Sequence, residues 1–162
     1  MGWFLLIVTV LIVCFAFVIL FGAPYLPTLR PQIEAALDLL ALEPGQTMLE
    51  LGCGDGRILA AAAKRGWHCV GYELNPIMAL VARLRTWRYR SQVRIVWGDF
   101  WRADWPAADG IFAFILPRFM ARLNTKIAQQ KAHRLKVVSF AFKIPKQPIV
   151  AERDGVFLYQ YD

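Results

Sequence analysis

Three glycines at alternate positions, Gly52, Gly54 and Gly56, stand in "LELGCGDGRIL" between an apolar run and a helix-like, alanine-rich run. Glycine lacks a Cβ, so this spacing builds a turn whose backbone can approach a ligand closely and take φ values closed to other residues. Glu50 sits two residues before the first glycine, and its carboxylate repels a pyrophosphate but suits a ligand that carries an ammonium group. A dinucleotide fingerprint, G-x-G-x-x-G, needs glycine where this chain has Arg57, which argues against NAD. Two further acids, Glu73 in "VGYELNP" and Asp99 in "VWGDFW", each close a later apolar run. The glycine turn, at the end of the first strand, is where backbone must come closest to a ligand in an open α/β sheet. His68 and His133 lack ligand-like spacing and the three cysteines, Cys14, Cys53 and Cys69, are unpaired in pattern, so no metal is expected.

The elements that must hold this rim alternate. "PQIEAALDLLAL" places Ile33, Leu37 and Leu40 at helical spacing behind Pro31. A short apolar run (residues 47–51), the glycines, and a helix (residues 57–64) follow, then a second strand in "HCVGYEL". Asn75 and Pro76 open another helix in "NPIMALVARLRTWRYR". "VRIVWGDF", "DGIFAFILP" and "LKVVSFAF" read as third, fourth and fifth strands, with the helical "RFMARLNTKIAQQKAHR" before the last of them. The final "PIVAERDGVFLYQYD" reads as two strands joined at Asp154 and Gly155. Such alternation predicts an α/β fold, a mostly parallel sheet covered on both faces, with an antiparallel C-terminal strand.

The chain has 162 residues, which fits one domain. Its hydrophobic fraction of 57% exceeds the roughly 45–50% of an ordinary soluble domain, and the excess is concentrated in residues 2–22, a run without a single charge. That length predicts one transmembrane helix, an anchor over residues 1–23; the rival reading, a cleaved signal peptide, lacks a positive n-region and a small-residue cleavage site. Residues 24–45, which begin with the proline-broken "APYLPTLRP", then form a linker or lid and a preceding helix, and residues 46–162 the binding domain. Every charge lies from Arg30 onward, so the formal net +7 belongs to the part outside the membrane. Charge asymmetry and unpaired cysteines together favour a body in the cytoplasm or an equivalent reducing compartment.

The glycine stretch resembles the first motif of class I S-adenosylmethionine-dependent methyltransferases, and the resemblance implies a Rossmann-like sheet and S-adenosyl-L-methionine as cofactor. It implies that Glu73 accepts the ribose hydroxyls, with Leu74 and Asn75 beside it, and that Asp99 holds the adenine amino group with Phe100 against the ring. Glu50, Gly52, Gly54 and Gly56 complete the cofactor-binding set. The hydrophobic N-terminal run, "PYLPT", "GDGRI", "VGYELNP" and "GDFW" are together similar to the membrane-anchored protein-lysine methyltransferases that act on ATP synthase c-subunit and adenine nucleotide translocase. In that family setting Tyr25, Pro27 and Thr28 belong to a lid on the substrate side, and Phe114, Leu116 and Pro117 face the transferred methyl group. One departure is plain: residues 143–150 are too few to hold the helix that usually joins strands five and six.

The expected activity is therefore lysine methylation on a membrane protein. Two alternatives stay open: methylation of a lipid, quinone or other small amphiphile, and cofactor binding without catalysis. The N/D-P-P-Y signature of amide and adenine methyltransferases is absent from "ILPR", which counts against DNA-adenine or glutamine substrates without excluding RNA. Arg83, Arg85, Arg88 and Arg90, with Arg118, Arg122 and Lys126, are expected to face water or anionic headgroups, and no nucleic-acid partner is expected.

Overall fold

The computed structural model describes residues 2–9, 12, 26–130 and 134–161. Helix α1 (Arg30–Leu40) carries Pro31 in its first turn, where a missing N–H costs nothing, and stops at Ala41 in the left-handed region. There follow β1 (Thr47–Leu51), α2 (Arg57–Lys64), β2 (His68–Glu73), α3 (Pro76–Arg85), β3 (Val93–Trp97) and β4 (Gly110–Ala113). The chain continues through α4 (Met120–Ala128), β5 (Leu135–Phe140), β6 (Ala151–Arg153) and β7 (Val156–Tyr161), with single 3-10 turns at Trp87–Tyr89 and Pro117–Phe119.

The seven strands form one sheet in the order β3-β2-β1-β4-β5-β7-β6. Strands β1 to β5 pair in parallel, whereas β7 runs antiparallel to both β5 and β6. The hairpin turns on Asp154 and Gly155, both at positive φ, as the Asp-Gly dipeptide predicts. The order reverses between β1 and β4, and in an open α/β sheet the crevice at such a reversal, beyond the C-terminal strand ends, is where a ligand sits.

Side chains alternate across the sheet, so each strand feeds two cores. Met48, Phe112 and Val138 meet α1, α2 and α3 on one face, together with Ile33, Leu37, Leu40, Leu59 and Ala82. Leu49, Leu51, Ile111 and Val137 meet Met120, Leu123 and Ile127 of α4 on the other. Helix α1 thus shares the sheet's core. No helix occurs among the described residues between β3 and β4 or between β5 and β6. In the first gap Phe100, Trp101 and Trp105 pack on the sheet instead, and the Lys126 ammonium pins the segment by donating to the Trp101 and Ala103 carbonyls at 3.1 and 3.0 Å. In the second, the Ile144 N–H donates to the buried Tyr159 hydroxyl and Asn124 Nδ2 donates to the Pro145 carbonyl.

Residues 2–9 are helical. Among the described residues no helix is long and apolar enough to cross a membrane. Most of the span expected over residues 2–22, and Tyr25, lie outside the described residues.

Candidate active site

The turn after β1 takes positive φ at every glycine of the motif, 83° at Gly52, 52° at Gly54 and 75° at Gly56, which explains the alternate spacing. Their roles differ. A Cβ on Gly52 would meet nothing within 4 Å, whereas a Cβ on Gly56 would lie 3.0 Å from the Ala82 Cβ and 3.1 Å from its Cα. Gly52 faces open space, and Gly56 lets α2 and α3 close on each other. Gly71, in β2 beneath the turn, has a similar duty: an added Cβ would come within 2.9 Å of the Cys53 Cβ and Sγ.

Glu73 ends β2 and ties two loops together. Its Oε2 accepts the Gly54 N–H and its Oε1 the Asn75 N–H, both at 2.8 Å. A carboxylate offers about four lone-pair directions, so each oxygen keeps capacity for one more donor. Burial pushes the Glu73 carboxyl above its ordinary range, and the N–H bonds from Asn75 and Gly54 oppose that push. Asn75 then caps α3 by accepting from the N–H groups of Ile77 at 2.9 Å and Met78 at 3.3 Å, with Pro76 at the first helical position. The "ELNP" tetrapeptide is therefore one joint, with an acceptor facing the glycine turn and a cap starting the next helix.

Glu50 is the unusual member. It is 3% exposed, its Oε2 has no hydrogen-bond partner, and burial, reinforced by the negative charges of Asp55 and Glu73, holds its carboxyl well above the normal range. A buried acceptor left open in a cavity wall suits a ligand that donates. Asp99 is more exposed: its Oδ1 accepts the Trp101 N–H at 2.9 Å, and Arg102 approaches its Oδ2 at 3.7 Å.

These groups line a cavity of about 440 Å³. Glu50, Gly52, Gly54, Glu73, Leu74, Asn75, Asp99 and Phe100 all contribute to its wall, as do Phe114 and Leu116 after β4 and Pro27 and Thr28 above it. Gly56 and Pro117 do not: the first packs on α3, and the second is exposed at the start of a 3-10 turn. Sequence reasoning missed part of the wall, where Trp101, Phe119 and Phe142 join Phe114. The Trp101 and Phe119 rings lie 5.9 Å apart and those of Phe114 and Phe142 6.4 Å, so aromatic surface lines much of the space.

A polar chain holds residues 26–28. Arg57 grips buried Asp55 through Nε at 3.0 Å and Nη2 at 2.8 Å, while its Nη1 donates to the Thr28 carbonyl at 3.2 Å. Arg85, at the end of α3, donates to the same carboxylate at 2.8 Å and to the Asp55 carbonyl at 2.9 Å. Thus the third-glycine position that excludes a dinucleotide carries the residue that fastens residues 26–28 over the cavity. Arg85, itself exposed, and the half-buried Lys126 under the β3–β4 segment thus make bracing contacts as well as carrying charge.

The chain is similar to the ATP synthase c-subunit lysine N-methyltransferase of Xenopus laevis, 32% identical over 75% of this chain and 54% of that protein. It is also similar to a protein-lysine N-methyltransferase of Saccharolobus islandicus, 31% identical over 84% of this chain and 92% of that one. The chain spans about half the length of the vertebrate relatives it matches. Among solved structures, an RNA methyltransferase from Salinibacter ruber in complex with S-adenosyl-L-homocysteine superposes with a TM-score of 0.76 at 26% identity, covering 84% of this chain and 92% of that one. A family model described as the ANTKMT methyltransferase domain matches residues 50–151, from the open Glu50 carboxylate to the first residue of β6. With its glycine turn, its "ELNP" joint and strands β2 to β5 all inside that match, the chain belongs to the ANTKMT methyltransferase family.

Proposed function

We propose that this chain is an S-adenosylmethionine-dependent methyltransferase that modifies a lysine of a membrane protein, with residues 2–22 holding it at the bilayer. The observation that carries this reading is the cavity whose wall brings Glu50, Glu73, Asp99 and the glycine turn together with aromatic side chains. The residues fit the cofactor. Glu73 keeps acceptor capacity for ribose hydroxyls beside its two N–H bonds, and Asp99 and Phe100 suit an adenine edge and face. The open Oε2 of Glu50 suits the amino-acid ammonium. When bound, S-adenosylmethionine supplies an activated methyl group.

The protein's own part is to bind, orient and dry the acceptor. Trp101, Phe114, Phe119 and Phe142 give an amine little stabilisation as an ammonium ion by hydration, which lowers its pKa and favours the neutral form that has a free lone pair. Alignment in a closed space then accounts for most of the rate, because it converts an encounter into a held geometry. The lid favours a substrate at a membrane: Leu26 lines the cavity and lies four residues beyond residue 22. At about 3.6 Å per residue the cavity is no more than about 14 Å of chain from the end of the apolar run. Relatives named as lysine N-methyltransferases of the ATP synthase c-subunit support the same substrate class.

Incubating membranes with methyl-labelled cofactor tests the proposal, followed by mass spectrometry of the labelled fraction. Label on a lysine of a membrane protein supports it. Label extracted with lipid, label in RNA, or tight cofactor binding with no transfer to any fraction would each replace it.

A further inference from the structure

Helix α3 turns its outer face to solvent with an unusual composition. Leu80, Leu84 and Trp87 follow one another at helical spacing, with Leu84 at 67% and Trp87 at 63% exposure. Arg83, Arg88 and Arg90 are exposed among them, and the Arg90 guanidinium lies 5.2 Å from the Trp87 ring centroid. Residues 76–98 include five arginines and no acid. Among the described residues Arg83, Arg88 and Arg90 form no ion pair. Leaving two leucines and a tryptophan in water forgoes burial that the rest of the helix obtains through Met78, Ala79 and Ala82.

We infer that this face of α3, with the Trp87 turn that follows it, docks on an anionic bilayer. Charge complementarity selects that occupant: Arg83, Arg88 and Arg90, exposed and outside any ion pair among the described residues, meet acidic headgroups, whose local potential acts on each of them. The apolar residues fit the same partner, since leucine enters the acyl boundary and tryptophan settles at the headgroup level with its ring partly buried. The polar chain running from Thr28 through Arg57 and Asp55 to Arg85 ties residues 26–28 to this helix. A docked α3 therefore restricts how the body tilts over the membrane. The inference is independent of the cofactor assignment, because none of Leu80, Arg83, Leu84, Trp87, Arg88 or Arg90 lines the cavity.

The test uses the full chain reconstituted in phosphatidylcholine vesicles and in vesicles with about 30% phosphatidylglycerol, their acyl chains brominated to quench tryptophan. The contribution of Trp87 is the quenching of the unmodified chain less that of Trp87→Phe. It is expected to be large on the anionic vesicles and small on the neutral ones. Arg83→Gln with Arg88→Gln should lower the ratio of docked to undocked chains about thirtyfold, since each arginine near such a surface contributes about fivefold. Thermal melting and cofactor calorimetry of these variants should match the unmodified chain, which separates loss of docking from misfolding and from failure of the active-site reading. Equal quenching of Trp87 on both vesicle types overturns the inference. So does an absence of quenching on either, or protection of Trp87 that arises only when membrane proteins are added.

Discussion

Glu50→Gln is the most informative single change, because it alters charge and leaves shape almost untouched. In the folded chain the Glu50 carboxyl is buried, has an open Oε2, and is held well above its normal range, by burial first and then by the charges of Asp55 and Glu73. A carboxyl whose folded pKa is raised makes the folded state bind more protons than the unfolded chain in the interval between the two values. Its contribution to stability is therefore complete below the ordinary carboxylate range and is lost as pH rises through the raised value. Glu73 shifts in the same direction, so the ligand-free chain as a whole should weaken on these two groups as pH rises from the ordinary carboxylate range through their raised values. Glutamine cannot ionise, and an orphaned buried polar atom costs about 1–3 kcal/mol, so the variant should gain up to that amount above the raised range and little below the ordinary one. In a chain of this size that corresponds to a rise of about 2–12 °C in the unfolding midpoint. Thermal scans of both proteins without cofactor, at matched salt across that pH range, read the difference directly. With S-adenosylmethionine present the order should invert, because glutamine no longer offers a full negative charge to the ammonium, and binding should weaken by about 1–3 kcal/mol. A ligand-free variant less stable than the parent at the upper pH, or a difference independent of pH, would refute the reasoning.

Three other changes probe the joints of the site. Glu73→Ala and Asp99→Ala should each weaken cofactor binding by about 1–3 kcal/mol in calorimetry, Glu73→Ala more, since it also orphans the Gly54 and Asn75 N–H groups; unchanged affinity would remove either assignment. Gly56→Val should destabilise the fold by about 1–3 kcal/mol through contact with Ala82 and unfavourable φ, read as a lower midpoint with or without ligand. Asp55→Asn should cost about 1–2 kcal/mol, discounted for the partial exposure of both arginines, and should speed protease cleavage within residues 26–29; a cleavage rate equal to the parent's would show that the lid does not depend on this carboxylate.

The local parts of this architecture were legible because their signals are local. Asn75-Pro76 specifies a cap and a first turn, Asp154-Gly155 a tight hairpin, and alternate glycines a turn at positive φ, all within four residues. The shortness of residues 143–150 likewise foretold a connection without a helix. What stayed hidden depends on partners distant in sequence. Nothing near Arg57 shows that it reaches Thr28, twenty-nine positions earlier, and Phe142 enters the cavity wall only because β5 pairs beside β4. Gly56 and Gly52 look alike in the motif, yet one answers to a neighbouring helix and the other to open space, a distinction set by where α3 lands.

The placement of β7 has a bearing on how the chain is made. Strand β6 forms its ladder with β7 alone, and β7, which follows it, supplies the link to β5. A nascent chain leaving the ribosome from its N-terminal end can assemble the parallel strands first, but it cannot seat β6 until residues 156–161 are free to slide between it and β5. Until then the β5 edge exposes its unpaired N–H and C=O groups, a state that invites pairing with another copy of the chain. Slow translation or C-terminal truncation short of Val156 should therefore show first as aggregation.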